Sequence, residues 1–304
     1  MVPAQFSQLN RLIELQLAAF PEHRGFLTKR FADSNEDHLR FCEQLSGYVF
    51  RVAGEHIQRI VEDYRWLSAT VLEEELYFRR EGKYRLSKFE DALEQVYANT
   101  PFMAKYMNGL LASQLWWRNH TEVLRFFRDV YLPGNRGGFS HLEVGPGHGL
   151  FLTLAASSPK CATAEGWDIS EASLEGTRAA LNAMGAPDNI SLKAVNIFEA
   201  PSGQFDSITF SEVLEHLEEP LKALKILRDL LKPGGRIFVN APVNSPAPDH
   251  LYLFRTPEEV RDMVEAAGFE IVDTLYAPPS GASLEKARKQ ELSISAAVIA
   301  CRPA

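Results

Sequence analysis

Hydrophobic residues in the first 135 positions recur mostly at intervals of three and four. The pattern is clearest in SNEDHLRFCEQLSGYVFRVAGEHIQRIVEDYRWLSATVLEEELYF, which begins at Ser34. This spacing places apolar side chains on one face of a helix. Ser34 is the predicted N-cap of the first helix in this stretch, with Asp37 three residues further on. Residues 1–135 are therefore predicted to form a helical N-terminal domain.

The segment LYFRREGKYRLS departs from helical spacing. Leu76 and Phe78 precede the turn-forming residues Glu81–Lys83, and Tyr84 and Leu86 follow them. Alternation on both sides of a glycine turn is typical of a short β-hairpin. A charged loop between two helices is the alternative interpretation.

The cluster Trp116–His120 is unusual because two tryptophans, an arginine, an asparagine and a histidine stand in a row. Neighbouring positions point to different faces of a helix, so the five side chains do not share one environment. Packing is the favoured interpretation for this cluster. A lid over a substrate or cofactor is the alternative.

Beyond residue 138 the pattern changes to short apolar runs that alternate with helical stretches. Seven runs have the length and composition of strands: FSHLEV, ATAEGWDI, NISLKAV, FDSITFS, RIFVNAP, FEIVDTLY and LSISAAVIAC. Four stretches between them have helical spacing: GLFLTLAAS, SEASLEGTRAALNAMG, EPLKALKILRDLLK and TPEEVRDMVEAAG. The alternation predicts an α/β domain over residues 136–304, with a mostly parallel sheet and helices on both faces. The turn-forming run Pro133–Gly138 marks the boundary before this domain.

Composition narrows the classes of partner. The chain is 45% hydrophobic and 24% charged, and no apolar run is long enough to span a membrane. Its net charge is −8, and most of this negative charge lies in residues 136–304. A protein that binds nucleic acid would need a basic surface instead. A small-molecule substrate is therefore predicted, with no nucleic-acid or membrane partner. The three widely spaced cysteines, Cys42, Cys161 and Cys301, favour a reducing cytoplasmic location.

A glycine-rich loop, EVGPGHG, joins the first strand of this part to a helix. Glycines let the backbone turn sharply and approach a ligand closely, but a dinucleotide-binding loop has the same position. Three neighbouring features decide between the two. Glu143 would oppose a pyrophosphate but suits a cationic ammonium and sulfonium, and Asp168 ends the second strand, where an acid can accept both hydroxyls of a ribose. The third feature is LKPGGRIFVNAP, a helix end followed by a Gly-Gly turn and a strand.

With these features the chain resembles the class I S-adenosylmethionine-dependent methyltransferases from about Ser140 to the C-terminus. The resemblance implies a Rossmann-like, seven-stranded methyltransferase sheet and an S-adenosyl-L-methionine cofactor. It also implies the cofactor-binding residues. These are Glu143, Gly145, Gly147 and Gly149 for the methionine part, Asp168 for the ribose, Ile169, Asn196 and Ile197 for the adenine, and Ser211 for the methyl group or the acceptor. Asn196 departs from the aspartate that many relatives have at this position.

The segment SEVLEHLEEP, which follows the fourth strand, carries the candidate acceptor-side chemistry. In a helix begun at Ser211, Glu212, Glu215 and His216 would share one face. Two carboxylates and an imidazole are suitable ligands for a divalent cation. His216 alone as a general base, or a helix start without chemistry, are the alternatives. His250, on a later loop at the same sheet edge, is the predicted fourth ligand.

The combination ExxEH with a later histidine resembles two groups of methyltransferases. One is the small-RNA 3′-terminal 2′-O-methyltransferases, whose Glu, Glu, His, His set binds a divalent metal. The other is the ubiquinone-pathway catechol O-methyltransferases, which share the EVLEH wording. The acidic charge of this chain favours a small substrate like that of the second group. Two imidazoles among the ligands favour Mn²⁺, Fe²⁺ or Zn²⁺ over Mg²⁺.

The predicted function is O-methylation of a small metabolite in secondary or cofactor metabolism, with a divalent metal at the site. Carbon or nitrogen acceptors and a carrier-protein-bound substrate remain alternatives. A non-catalytic cofactor-binding regulator and an NAD-dependent oxidoreductase are the rivals from other classes. The predicted hairpin resembles the wing of the winged-helix dimerisation domains that precede many small-molecule O-methyltransferases. Together with the apolar content of residues 1–135, it predicts a homodimer through that domain.

Overall fold

Helices fill the N-terminal part of the chain, as predicted. The computed structural model describes residues 2–199 and 201–304. The α-helices before the sheet in these residues are α1 (Ser7–Ala19), α2 (Arg24–Ala32), α3 (Glu36–Ala53), α4 (Ile57–Glu81), α5 (Phe89–Ala92), α6 (Thr100–Trp116) and α7 (Arg118–Phe126). Shorter turns of 3₁₀-helix cover Pro21–His23 and Gly54–His56, and π-helical turns cover Leu93–Tyr97 and Phe127–Tyr131. Asn35, one residue after the predicted Ser34, caps α3 by accepting the backbone N–H of His38.

The predicted hairpin at LYFRREGKYRLS is wrong, because α4 continues through Phe78 to Glu81. Gly82 has a φ of +69° and acts as a left-handed C-cap, with its N–H bonded to the carbonyl of Phe78. The glycine therefore ends a helix instead of turning a hairpin. Leu76 is 62% exposed on the helix surface, and Tyr84 is buried beyond the turn. The predicted homodimer loses its wing-based argument and stays a prediction.

The seven predicted strands are all present, and they form one sheet. They are β1 (Phe139–Val144), β2 (Cys161–Asp168), β3 (Ile190–Ala194), β4 (Phe205–Ser211), β5 (Leu231–Val243), β6 (Glu270–Ala277) and β7 (Ile294–Cys301). Their order is β3-β2-β1-β4-β5-β7-β6. The first five strands run parallel, and β7 runs antiparallel to both β5 and β6. This confirms the predicted α/β methyltransferase sheet with a helical N-terminal region.

The helices between the strands are also close to the prediction. They are α8 (Leu150–Ala156), α9 (Glu171–Met184), α10 (Pro220–Leu230), α11 (Pro257–Ala266) and α12 (Leu284–Lys289), with 3₁₀ turns at Ile197–Glu199 and Leu214–His216. Only α12 was not anticipated from the pattern. No helix in the described part of the chain is both long and apolar enough to cross a membrane.

The strand order creates a crevice beside β1. The chain runs from β1 outwards through β2 to β3 and then returns to the other side of β1 as β4. In an open sheet, the carboxyl ends of the strands at such a reversal form the usual ligand-binding crevice. Glu143, Asp168 and Ser211 lie at or next to the carboxyl ends of β1, β2 and β4.

The N-terminal helices pack directly on one face of this sheet. A single hydrophobic core joins Trp116 and Phe127 from the helices to Phe238 of β5 and Ile299 of β7. The opposite face is covered by α10 and α11. The boundary predicted at residue 135 therefore follows the change in secondary structure, while the core continues across it.

The Trp116–His120 cluster lies in this interface. Trp116 is fully buried, and the Asn119 amide donates a hydrogen bond of 2.9 Å to Ser295 Oγ of β7. Burial lowers the pKa of His120 to about 3. Trp116 and Asn119 therefore pack between helix and sheet, as favoured from the sequence.

A buried histidine stands within the same interface. His141 Nδ1 lies 2.9 Å from Ser207 Oγ, and its Nε2 lies 3.3 Å from Thr209 Oγ1. Tyr131 reaches the same Ser207 hydroxyl at 2.8 Å. Burial lowers the pKa of His141 to about 3, so the imidazole is neutral at physiological pH.

This burial predicts a pH-dependent contribution to stability. In the unfolded chain the histidine pKa is about 6.5, so the unfolded state binds the extra proton below that pH while the folded state does not. The stability is therefore complete above about pH 6.5 and falls by about 1.4 kcal/mol per unit as the pH decreases towards about 3. In urea unfolding, His141→Asn should lower stability at neutral pH but show a smaller further loss at about pH 5 than the wild type. His56→Asn, at an exposed position, is the control. An unchanged pH dependence in His141→Asn would contradict the assignment.

Candidate functional site

The glycine loop after β1 is built on three left-handed backbone conformations. Gly145, Gly147 and Gly149 have φ values of 71°, 52° and 72°, a region that side-chain-bearing residues rarely adopt. A Cβ at Gly145 would lie 2.8 Å from Val213 Cγ2, so a larger residue would also clash. The loop thus needs glycine for both conformation and close approach.

Glu143, at the end of β1, is a buried acid with an unused oxygen. It is 3% exposed, and its Oε2 accepts no hydrogen bond within the protein. Burial raises the pKa of Glu143 well above its usual range, although the backbone N–H of Leu152 favours the ionised form. A nearby cation would restore the charged state, so the residue fits the ammonium group of S-adenosylmethionine.

Asp168 lies at the end of β2 and retains acceptor capacity. Its Oδ1 accepts the backbone N–H of Ser170 and its Oδ2 accepts the hydroxyl of Ser173, both at 2.9 Å. Each carboxylate oxygen has a second lone-pair site, so two ribose hydroxyls can still be accepted. The role that the resemblance implies for Asp168 stays a prediction.

The residues predicted to border the adenine lie in different environments. Ile169 is 59% exposed beside Asp168, and Phe198 is partly exposed, so both present apolar surface. Ile197 lies in the core instead. Asn196 accepts the backbone N–H of Phe198 and donates to Glu199, so its side chain shapes the local turn.

The helix expected from Ser211 does not form. Ser211 still belongs to β4, and Glu212 has a φ of +54°, a strained conformation for a residue with a side chain. A single 3₁₀ turn, Leu214–His216, follows. The predicted helical face of Glu212, Glu215 and His216 is therefore absent. Glu215 and His216 still come together, but through this 3₁₀ turn.

Asn240 of β5 holds Glu212 at two points. The backbone N–H of Glu212 donates to the Asn240 carbonyl at 2.9 Å, and Asn240 Nδ2 donates to Glu212 Oε1 at 2.6 Å. The same Nδ2 lies 3.1 Å from Ser211 Oγ. Burial raises the pKa of Glu212 to about 7, against the opposing effect of the Asn240 hydrogen bond. Asn240 was missed in the sequence, where the only signal was a polar residue inside the apolar run RIFVNAP.

Glu215, His216 and His250 form a compact group at the same sheet edge. Each offers one ligand atom, and the three atoms lie within 4.8 Å of one another. Glu215 Oε1 is 3.7 Å from His216 Nε2 and 4.0 Å from His250 Nε2. Glu212, which was also predicted as a ligand, lies outside this group. Three of the four predicted residues are therefore brought together.

The two imidazoles are oriented by backbone carbonyls. His216 Nδ1 lies 3.0 Å from the Asp249 carbonyl, and His250 Nδ1 lies 2.6 Å from the Ser245 carbonyl. A carbonyl oxygen only accepts, so both Nδ1 atoms carry hydrogen and both Nε2 lone pairs are free. Metal-bound histidines are commonly oriented in this way.

Glu215 completes the donor set. It is 0% exposed, and neither carboxyl oxygen has a hydrogen-bond partner. Burial raises the pKa of Glu215 well above its usual range, and repulsion from Glu212 adds to this effect. Its own backbone N–H opposes the shift. An unpaired buried carboxyl facing two free imidazole lone pairs fits a divalent cation of the Mn²⁺, Fe²⁺ or Zn²⁺ type.

Asp249 and two tyrosines from the N-terminal helices were not singled out in the sequence. Tyr106 OH donates to Asp249 Oδ1 at 2.8 Å, and Tyr97 OH donates to Oδ2 at 3.2 Å. Burial alone would raise the pKa of Asp249, but His216, His250 and the Tyr106 hydroxyl outweigh it and hold the pKa below its usual range. Helical spacing made both tyrosines look like core residues, so the sequence held no separate signal for them.

Comparison with known families identifies the class of protein. A family model described as "Methyltransferase domain" matches residues 116–274, just over half of the chain. The fold and this match define an S-adenosylmethionine-dependent methyltransferase. The chain belongs to the methyltransferase-domain family.

Curated relatives have more specific names. The chain is 32% identical over 165 residues to the ubiquinone biosynthesis O-methyltransferase of Dinoroseobacter shibae. The aligned region covers 48% of this chain and 66% of that protein. It is 33% identical over 147 residues to the protein of the same name from Pseudomonas paraeruginosa, covering 46% and 61%. The chain thus spans slightly less than two thirds of the length of these two relatives.

Solved structures share the fold at low identity. An O-methyltransferase family protein from Burkholderia thailandensis has a TM-score of 0.55 at 14% identity, covering 83% of this chain and 73% of its own. The pyocyanin biosynthetic protein PhzM has a TM-score of 0.54 at 18% identity, covering 81% and 72%. At these identities the likeness concerns the fold alone.

The position of Asp168 predicts its contribution to cofactor binding. Asp168→Ala should weaken binding of S-adenosylmethionine, because two charge-assisted hydrogen bonds of about 1.5–3 kcal/mol each would be lost. Isothermal titration measures this change. Ser173→Ala is the matched control, since it removes a partner of Asp168 but keeps the carboxylate. An unchanged affinity in Asp168→Ala would remove this residue from the site.

Proposed function

We propose that this protein transfers a methyl group from S-adenosylmethionine to an oxygen atom of a small metabolite, with a divalent cation held by Glu215, His216 and His250. The observation that carries the proposal is the buried Glu215 carboxyl group, which faces two imidazole Nε2 atoms at the sheet edge that also carries the glycine loop. The cofactor half and the acceptor half of a transferase site would then share one crevice.

On the cofactor side, the chain supplies charge and shape. S-adenosylmethionine, when bound, supplies an electrophilic methyl carbon on a sulfonium. Glu143 would hold the ammonium group, and the glycine loop would admit the methionine part close to the backbone. Asp168 would accept the ribose hydroxyls beside Ile169. These contacts fix the orientation that an in-line displacement requires.

On the acceptor side, the chain supplies ligands and a proton acceptor. A divalent cation, when bound, lowers the pKa of a hydroxyl group next to it. Glu215, His216 and His250 would hold that cation. Glu212, clamped by Asn240 beside them, would accept the hydroxyl proton. In a cation-free site, His216 Nε2 is the free basic atom that would take this role instead.

The choice of oxygen and of a small metabolite has separate support. The curated relatives named above are O-methyltransferases of ubiquinone biosynthesis. The net charge of −8 disfavours a nucleic-acid substrate, which the metal-site resemblance alone would have allowed. Cofactor metabolism is therefore the proposed setting.

Metal removal tests the cation directly. After stripping with EDTA, turnover with a panel of phenols and catechols should fall and should return with one added divalent cation. Glu215→Gln and His250→Gln should lose bound metal by elemental analysis, because each removes a ligand. Glu219→Gln, an exposed acid in the same segment, is the matched control.

Two results would contradict the cation. They are full activity after chelation and the absence of metal from the untreated protein. In that case His216→Gln should still abolish turnover, which would leave His216 as a base without metal.

A further inference from the structure

The Asp249 carboxylate is bound by two phenols that both come from the N-terminal helical part. Tyr106 lies on α6, and Tyr97 ends the π-helical turn before it. Their hydroxyls donate to the two different oxygens of Asp249, at 2.8 and 3.2 Å. Asp249 is 3% exposed, so the contact is shielded from water.

The loop that contains Asp249 also orients both imidazoles of the candidate cation site. The Asp249 carbonyl accepts from His216 Nδ1, and the Ser245 carbonyl accepts from His250 Nδ1. His250 itself is the next residue of this loop. Any displacement of residues 245–250 would therefore move His250 and would break the hydrogen bond that orients His216.

Tyrosines of the helical part hold this loop at both ends. Tyr84 OH accepts the backbone N–H of Ser245 at 3.1 Å, and Tyr84 packs edge-on against His250. At the other end, the Tyr97 hydroxyl contacts both Asp249 Oδ2 and His216 Nδ1, each at 3.2 Å. The α/β part thus supplies the ligands, and the helical part supplies the groups that fix them.

We propose that Asp249, Tyr97 and Tyr106 are positioning residues, through which the helical part fixes loop 245–250 and sets His216 and His250 for cation and acceptor binding. This inference rests on the proposed function for its ligand. Simple attachment of the helices to the sheet does not require such a contact, because their shared hydrophobic core already provides it. A buried carboxylate is costly unless it is fully hydrogen-bonded. Here one of its two donors, Tyr97, also lies beside His216.

The test measures Mn²⁺ affinity of the metal-free protein by equilibrium dialysis. Asp249→Asn and the double variant Tyr97→Phe/Tyr106→Phe should bind Mn²⁺ about tenfold or more weakly than the wild type, as expected for groups that orient metal ligands. Binding of S-adenosylhomocysteine should stay unchanged, which reports an intact fold. The thermal midpoint should fall in the double variant, because the buried Asp249 loses both of its phenol donors. Tyr64→Phe is the matched control, because Tyr64 is a buried phenol of the same helical core that bonds Trp117 and not the loop.

A second measurement keeps this inference separate from the proposed function. Long-range ¹H–¹⁵N NMR of the metal-free protein at about pH 8, above the ordinary histidine pKa, reports which ring nitrogen of His216 carries hydrogen. The wild type should show hydrogen on Nδ1, and the double variant should show a mixture. His216→Gln assigns the signal.

The outcomes are distinct. A wild type that binds no Mn²⁺ contradicts the cation in the proposed function, and the His216 ring signal then decides the positioning role alone. Unchanged Mn²⁺ affinity together with an unchanged ring signal in the double variant would overturn the inference. An equal loss of affinity in Tyr64→Phe would also overturn it, because the effect would then be a general one of core packing.

Discussion

The Glu215 carboxyl group sets the constraint on which the rest of the site depends. A carboxyl group buried without a hydrogen-bonding partner is unfavourable, and its ionised form is more so. The backbone carbonyl of Glu215, in contrast, accepts two hydrogen bonds, from the N–H groups of Leu251 and Tyr252 at 2.8 and 2.9 Å. These two bonds join the turn after β4 to the loop after β5. The unsatisfied side chain is therefore held in place by a satisfied backbone, which is the arrangement expected of a residue kept for its chemistry.

The sheet brings this group next to the cofactor half of the site. Because β4 lies beside β1, the turn that carries Glu215 emerges at the same edge as the glycine loop, and Val213 lies against Gly145. The helical part then covers that edge and contributes Tyr97 and Tyr106. The candidate site therefore combines residues of the α/β part with tyrosines of the helical part.

Local patterns in the sequence were sufficient for the sheet, the glycine loop and the acids at the strand ends. Glu143 and Asp168 lie near the carboxyl ends of the predicted strand runs FSHLEV and ATAEGWDI. The candidate cofactor half of the site is predicted from these local signals.

Contacts between distant segments could not be predicted in the same way. Spacing alone suggested a helix at Ser211, but Glu212 has a left-handed backbone there and is bonded to Asn240 of another strand. The hairpin expected at Gly82 failed because a glycine can end a helix as well as turn a strand. Tyr97 and Tyr106 acquire their role only through Asp249, which is more than 140 residues away in the chain.

The most direct measurement of the central idea is a crystal structure of the protein soaked with Mn²⁺ and S-adenosylhomocysteine, with diffraction recorded at the manganese edge. One anomalous peak bounded by Glu215, His216 and His250, with the cofactor product between Glu143 and Asp168, is the predicted result. Product bound at the glycine loop with no anomalous peak beside Glu215, or a peak elsewhere on the protein, would contradict it.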